Sequence, residues 1–127
     1  MKKKRMYSIV LSRLSGLHKG IQAAHAIVEY ANKHKNDKSY KKWAEEDKTL
    51  ILLETGTSDV LNKSVKRLKA LDVKVEEFQE PDLYNIMTAV AFLVDEEIWN
   101  LQKYGETEDC KILGVRSILK NFNLASN

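Results

Sequence analysis

The run from Thr49 to Glu54 is almost continuously apolar and has the length of one β-strand. A strand without polar alternation must be covered on both faces, so it is expected to lie centrally in a sheet sandwiched by helices. The segments around it fit that layering. Tyr7 to Ser12 is a short apolar and β-branched run, the expected first strand, and Ser15-Gly16 supplies turn chemistry after it. Val73 to Phe78 alternates like a half-buried strand, Pro81 and Asp82 break it, and Ile86 to Val94 is the longest apolar strand candidate.

Helical periodicity fills the intervals. From Lys19 to about His34 the apolar residues Ile21, Ala24, Val28 and Ala31 recur at spacings of three and four, the expected buried face of a first helix. Asn36 or Asp37 is placed to cap a second helix carrying Tyr40 and Trp43. Thr57 or Ser58 caps a third, with Val60, Leu61, Val65, Leu68 and Leu71 as its stripe. A short helix with Ile98, Trp99 and Leu101, a turn at Gly105 and an amphipathic stretch over 112–122 complete the pattern. The expectation is one α/β domain over residues 1–127: a mixed, mostly parallel four-stranded sheet covered by helices. Residues 1–5 form a basic tail in this reading, and 96–127 a C-terminal helical extension.

Cys110 is the only cysteine, so no internal disulfide can form, and no Cys/His spacing suggests a metal site. A reducing compartment, the cytoplasm, fits best. No stretch approaches the roughly 18 apolar residues that a membrane-crossing helix needs. The net charge of +3 does not by itself demand a polyanionic partner. Basic residues do cluster at 2–5, around Lys19, at 33–42 and at 63–69. Both solvated helix faces and a phosphate-binding surface account for them.

The segment with chemical content is Lys19-Gly20-Ile21-Gln22-Ala23-Ala24-His25-Ala26. On a helix, His18, Gln22, His25 and Glu29 fall at spacings of four, three and four and make one polar stripe. Ala23, Ala24 and Ala26 keep the adjoining surface low, so that another backbone or a ligand can approach. A helix beginning near Gly20 would offer unpaired N–H groups beside Lys19, a setting that favours phosphate. The plainer alternative is a packing helix with satisfied histidines.

Gln22-Ala23-Ala24-His25-Ala26, placed after a first strand and a Lys/Gly-rich loop, resembles the Gln-x-Ala-His-Ala stretch of the peptidyl-tRNA hydrolase type II family. The order of the following elements resembles that family too, over roughly residues 6 to 95, and small phage-encoded members are the most alike. The resemblance implies cleavage of the ester between a peptide and the 3′ end of tRNA, without metal or organic cofactor. It implies a catalytic group of Lys19, His25, Asp82 and Thr88, with His18, Gly20, Gln22 and Asn85 binding substrate. Homodimers are common in the family. The chain departs from the pattern at His18, where the family has lysine, and in Glu80-Pro81-Asp82-Leu83-Tyr84-Asn85-Ile86-Met87-Thr88, which is shorter than the family loop and lacks its glycine and first threonine. Asp82 and Thr88 correspond to the family's acidic residue and strand threonine, and Asn85 stands in for the missing hydroxyl. Three functions stay open: an esterase acting on peptidyl-tRNA, a module that binds tRNA or a protein without chemistry, and an oligomerisation domain.

Overall fold

A computed structural model describes residues 2–126. Five strands form one mixed sheet: β1 (Lys4–Leu11), β2 (Leu50–Thr55), β3 (Val75–Glu80), β4 (Ile86–Asp95) and β5 (Asn123–Leu124). Their spatial order is β3-β4-β1-β2-β5, and only the β1·β2 pair is parallel. The α/β class holds, whereas the expected four strands and mostly parallel pairing do not. The physical reason lies in the connections. The turn between Glu80 and Ile86 is too short for a parallel crossover and returns β4 antiparallel to β3, while the fifth strand is the two-residue Asn123–Leu124, which follows the last helix and runs antiparallel to β2.

The helices are α1 (Gly16–His34), α2 (Lys38–Lys42), α3 (Ser58–Ala70), α4 (Glu96–Trp99), α5 (Leu101–Tyr104) and α6 (Cys110–Leu119), with a π-helical turn over Trp43–Asp47. One layer of core joins Met6, Val10, Ala89 and Ala91 of the sheet to Ala23, Ala26 and Tyr30 of α1. The other joins Tyr7, Ile9, Leu11, Val90 and Phe92 to Leu61, Val65 and Leu68 of α3 and to Val115 and Ile118 of α6. The Tyr7 and Phe92 rings stack with centroids 6.0 Å apart. β1 and β4 are thus the covered centre. β2, the expected central strand, is only half-buried and starts at the exposed Leu50.

Residues 1–5 are not simply a tail, because Lys4 and Arg5 open β1. The Lys4 amide donates to Asp47 Oδ2 (2.7 Å), and its ammonium pairs with Asp95. Nor is 96–127 only a helical extension: α6, Ile98 and Phe122 furnish core, and β5 furnishes a sheet edge. Ile98 and Trp99 pack on that core.

The first helix also turns a different face inward from the one its strongest apolar residues suggest. Lys19, Gln22, Ala23, Ala26 and Tyr30 are buried, while Leu17 and Val28 stay 74% and 64% exposed and Ile21 is exposed as well. The cause is steric. Ala23 and Ala26 let the helix axis approach the small Ala89 and Ala91 of β4, which branched side chains would prevent.

This placement makes a stability test. Ala26→Leu is expected to overpack the contact with β4 and cost about 1–3 kcal/mol. Val28→Ala, removing a larger but solvated side chain, should stay within about 0.5 kcal/mol of wild type. Urea unfolding of both variants checks the assignment, and the opposite ranking would restore the sequence-based face.

Candidate functional site

The site forms where β1 ends, α1 begins and β4 starts. Ser15 caps α1: its Oγ accepts from the His18 amide (3.2 Å) and lies 2.8 Å from His18 Nδ1. The helix therefore begins a full turn before Gly20. The His18 amide already meets that cap, and Gly20 sits in the second turn on the exposed side, not at the helix N-terminus.

At the start of β4 the pairing with β3 slips. Phe78 stands opposite Ala89 and Gln79 opposite Met87, leaving Thr88 as the extra residue. A bulge points two consecutive side chains to the same side. Here Ala89 and Thr88 both turn to α1, whereas Met87 and Val90 join the opposite layer. The fully buried Thr88 hydroxyl donates to Gln22 Oε1 (2.6 Å), and Gln22 Nε2 donates to Glu80 Oε2 (3.3 Å). A polar relay thus runs from the strand through the helix to a carboxylate at the end of β3. His25, one turn along α1, is exposed and lies flat on Phe78, with ring centroids 4.3 Å apart and planes 10° apart.

The turn after Glu80 carries the remaining candidates. Pro81–Leu83 is a single 3₁₀ turn, and Tyr84 and Asn85 follow it with φ of 56° and 59°, a left-handed pair closed by the Asn85 amide donating to the Glu80 carbonyl (2.9 Å). Non-glycine residues held this way are strained, a state that concentrates at functional turns. Asp82 is exposed two residues beyond Glu80, and Tyr84 is 94% exposed.

Lys19 is placed differently from an open phosphate ligand. It is buried, and its ammonium donates to Glu54 Oε2 and to the Ser126 carbonyl, both at 2.6 Å. The Lys19 hydrogen bond holds the Glu54 carboxyl below its usual range despite partial desolvation. Of the sequence candidates, then, Gln22 and Thr88 meet directly. His18, His25, Asp82 and Asn85 are exposed, and Lys19 turns to the β2 side. Glu80 and Glu54 were missed as site residues. Glu80 adjoins the Pro81-Asp82 turn and so had a local signal, but nothing in the sequence ties Glu54 to Lys19. Among the described residues no group of three or more His, Cys, Asp or Glu is gathered to hold a metal ion.

No family model matches the chain, and no curated protein matches it. A protein of unknown function from Agrobacterium tumefaciens strain C58 is similar in structure, with 13% sequence identity, alignment over 99% of this chain and 100% of that one, and a TM-score of 0.62. At that identity the likeness establishes the fold alone.

Thr88→Val should remove the relay's donor and leave Gln22 Oε1 buried without its partner, costing about 1–3 kcal/mol in urea unfolding. The Lys19–Glu54 pair predicts a pH effect. Because the folded-state pKa of Glu54 is depressed, the pair's stabilisation is fully present above the unfolded carboxyl pKa and is lost as pH falls through the folded value. Lys19→Met should flatten that part of the acid limb, as measured by unfolding at a series of pH values.

Proposed function

We propose that this protein is peptidyl-tRNA hydrolase-like and acts on the ester joining a peptide to the 3′ end of tRNA. The observation that carries the reading is the Thr88–Gln22–Glu80 relay. It fixes an amide and a carboxylate beside a strained turn bearing Asp82, and satisfied buried networks of this kind hold side chains in one geometry. Thr88 is fully buried, so its part is to position Gln22 and not to touch substrate.

In the proposed reaction, Asp82 takes a proton from water as the oxygen attacks the ester carbonyl. The ester C–O bond then breaks, and the ribose 3′-oxygen departs with a proton, giving free peptide and tRNA. His18 and His25, exposed on the same helix, contact the terminal ribose and phosphate. The exposed Lys63, Lys66, Arg67 and Lys69 of α3 add longer-range attraction for the tRNA backbone.

A second reading is favoured by one observation. With the Lys19 ammonium bonded to Glu54 and the Ser126 carbonyl, the site lacks the free cation that the resemblance implies. The same surface would then bind tRNA or a protein without hydrolysing anything.

Release of free tRNA from purified peptidyl-tRNA separates the two. Asp82→Asn is expected to slow release by about 10²- to 10⁴-fold while changing binding little, since a general base acts mainly in the transition state. Binding itself should weaken steeply between roughly 50 and 200 mM salt. Wild-type protein that binds but releases no tRNA above background would exclude the hydrolase and leave the binding module. No tRNA binding at low salt would exclude the hydrolase and the tRNA-binding form of the second reading, leaving a protein partner.

A further inference from the structure

Five of the clefts on the surface have volumes of roughly 380–480 Å³. Four of them carry at least one carboxylate on their walls: Asp37, Asp72 and Asp95 in the first; Glu46, Asp47 and Glu96 in the second; Glu96 and Glu106 in the remaining two. The other, of about 380 Å³, is different. It opens on the sheet layer opposite α1, over Tyr7, Ile51 and Leu53, and it is walled by Trp99, Leu101 and Leu119. Its only charged wall residues are Arg5, Arg116 and Lys120, and no acid is among them.

These cations are not used alike. The Arg116 guanidinium is already satisfied by the carbonyls of Ile98 (2.9 Å), Glu97 (2.7 Å) and Gly105 (3.2 Å), which leaves its positive charge without a counter-ion. Arg5 lies over the Trp99 ring, 3.5 Å from its centroid, and among the described residues neither Arg5 nor Lys120 has a carboxylate partner. Among the described residues the Trp99 indole N–H, itself buried, has no acceptor. An orphaned donor is uncommon in a folded interior and calls for an explanation. An apolar cleft ringed by cations without a carboxylate partner is complementary to one kind of ligand.

We infer that this cleft binds a small amphipathic anion, an apolar body carrying one carboxylate or a similar acidic group. The volume suits a single small molecule, and the balance of many apolar walls with few polar groups is that of a ligand site. The apolar body lies against Ile51, Leu53 and Leu119, and the acid meets Arg5 and Lys120 at the rim. The site is on the layer opposite the Thr88–Gln22 relay and does not depend on the proposed hydrolysis.

The test is a ¹⁵N–¹H titration with octanoate, with octanol as its uncharged counterpart. The Trp99 indole signal is expected to move saturably with octanoate, while that of Trp43, in the other layer, stays fixed and serves as an internal control. Octanol should bind more weakly. Arg5→Gln with Lys120→Gln should weaken octanoate by about tenfold and leave octanol unchanged. The single Lys120→Gln variant, at an exposed position, guards against loss of fold and should weaken octanoate in the same direction. Leu101→Trp, filling the cleft from its exposed wall, should abolish both responses. A Trp99 signal that octanoate does not move would overturn the assignment. So would equal binding of octanol and octanoate, or natively folded Lys120→Gln protein that binds octanoate as wild type does.

Discussion

The close approach of α1 to β4 is the contact on which the rest depends. Four alanines, Ala23 and Ala26 on the helix and Ala89 and Ala91 on the strand, make the approach possible. It carries Gln22 to within hydrogen-bonding distance of Thr88, and His25 onto the face of Phe78. The same closeness decides which helix residues are solvated. Once the alanine face is inside, Leu17, Ile21 and Val28 have nowhere to go but the surface.

The bulge at Thr88 is the second half of that arrangement. With regular alternation Thr88 would share a face with Val90 and Phe92 and place a hydroxyl in an aliphatic layer, at the cost of an unpaired buried polar group. One extra residue moves it to the helix side, where Gln22 accepts its proton. The bulge and the left-handed Tyr84-Asn85 turn lie close together in the chain, beside the candidate site.

Charge follows a different logic. Some of the lysines that cluster in sequence are paired with acids distant in sequence, Lys2 with Glu97, Lys4 with Asp95, Lys19 with Glu54 and Lys33 with Glu76, and outside the clusters Lys74 pairs with Asp37. The exposed pairs among them, such as Lys2 with Glu97 and Lys74 with Asp37, contribute little stability, whereas Lys4 and Lys19 are buried. The effect of the pairs on recognition is larger, because they neutralise part of the surface that linear clustering suggests is open to phosphate. Among the described residues the outer face of α3 and the rim of the apolar cleft carry cations without a carboxylate partner, and Lys3, Lys35, Lys38 and Lys41 likewise have none.

The sequence by itself determined the α/β class, the order along the chain of the first four strands and the helices between them, a cap for α3 at Thr57 or Ser58, of which Thr57 is used, and an α3 stripe whose Leu61, Val65 and Leu68 are buried while its Val60 is exposed, because each rests on local periodicity or local hydrogen bonding. It also brought forward Gln22 and Thr88, through the resemblance of a short motif. Tertiary structure decided the rest. Strand order and the antiparallel pairing of β4 and β5 depend on which edges meet in space. The buried face of α1 was settled by steric fit to β4 over hydrophobicity, since Val28 is the more apolar side chain and Ala26 the one that fits. The sequestering of Lys19 by Glu54, and the turning of Thr88 from the aliphatic layer to Gln22, each join residues remote in the chain, and no local pattern encodes such partners.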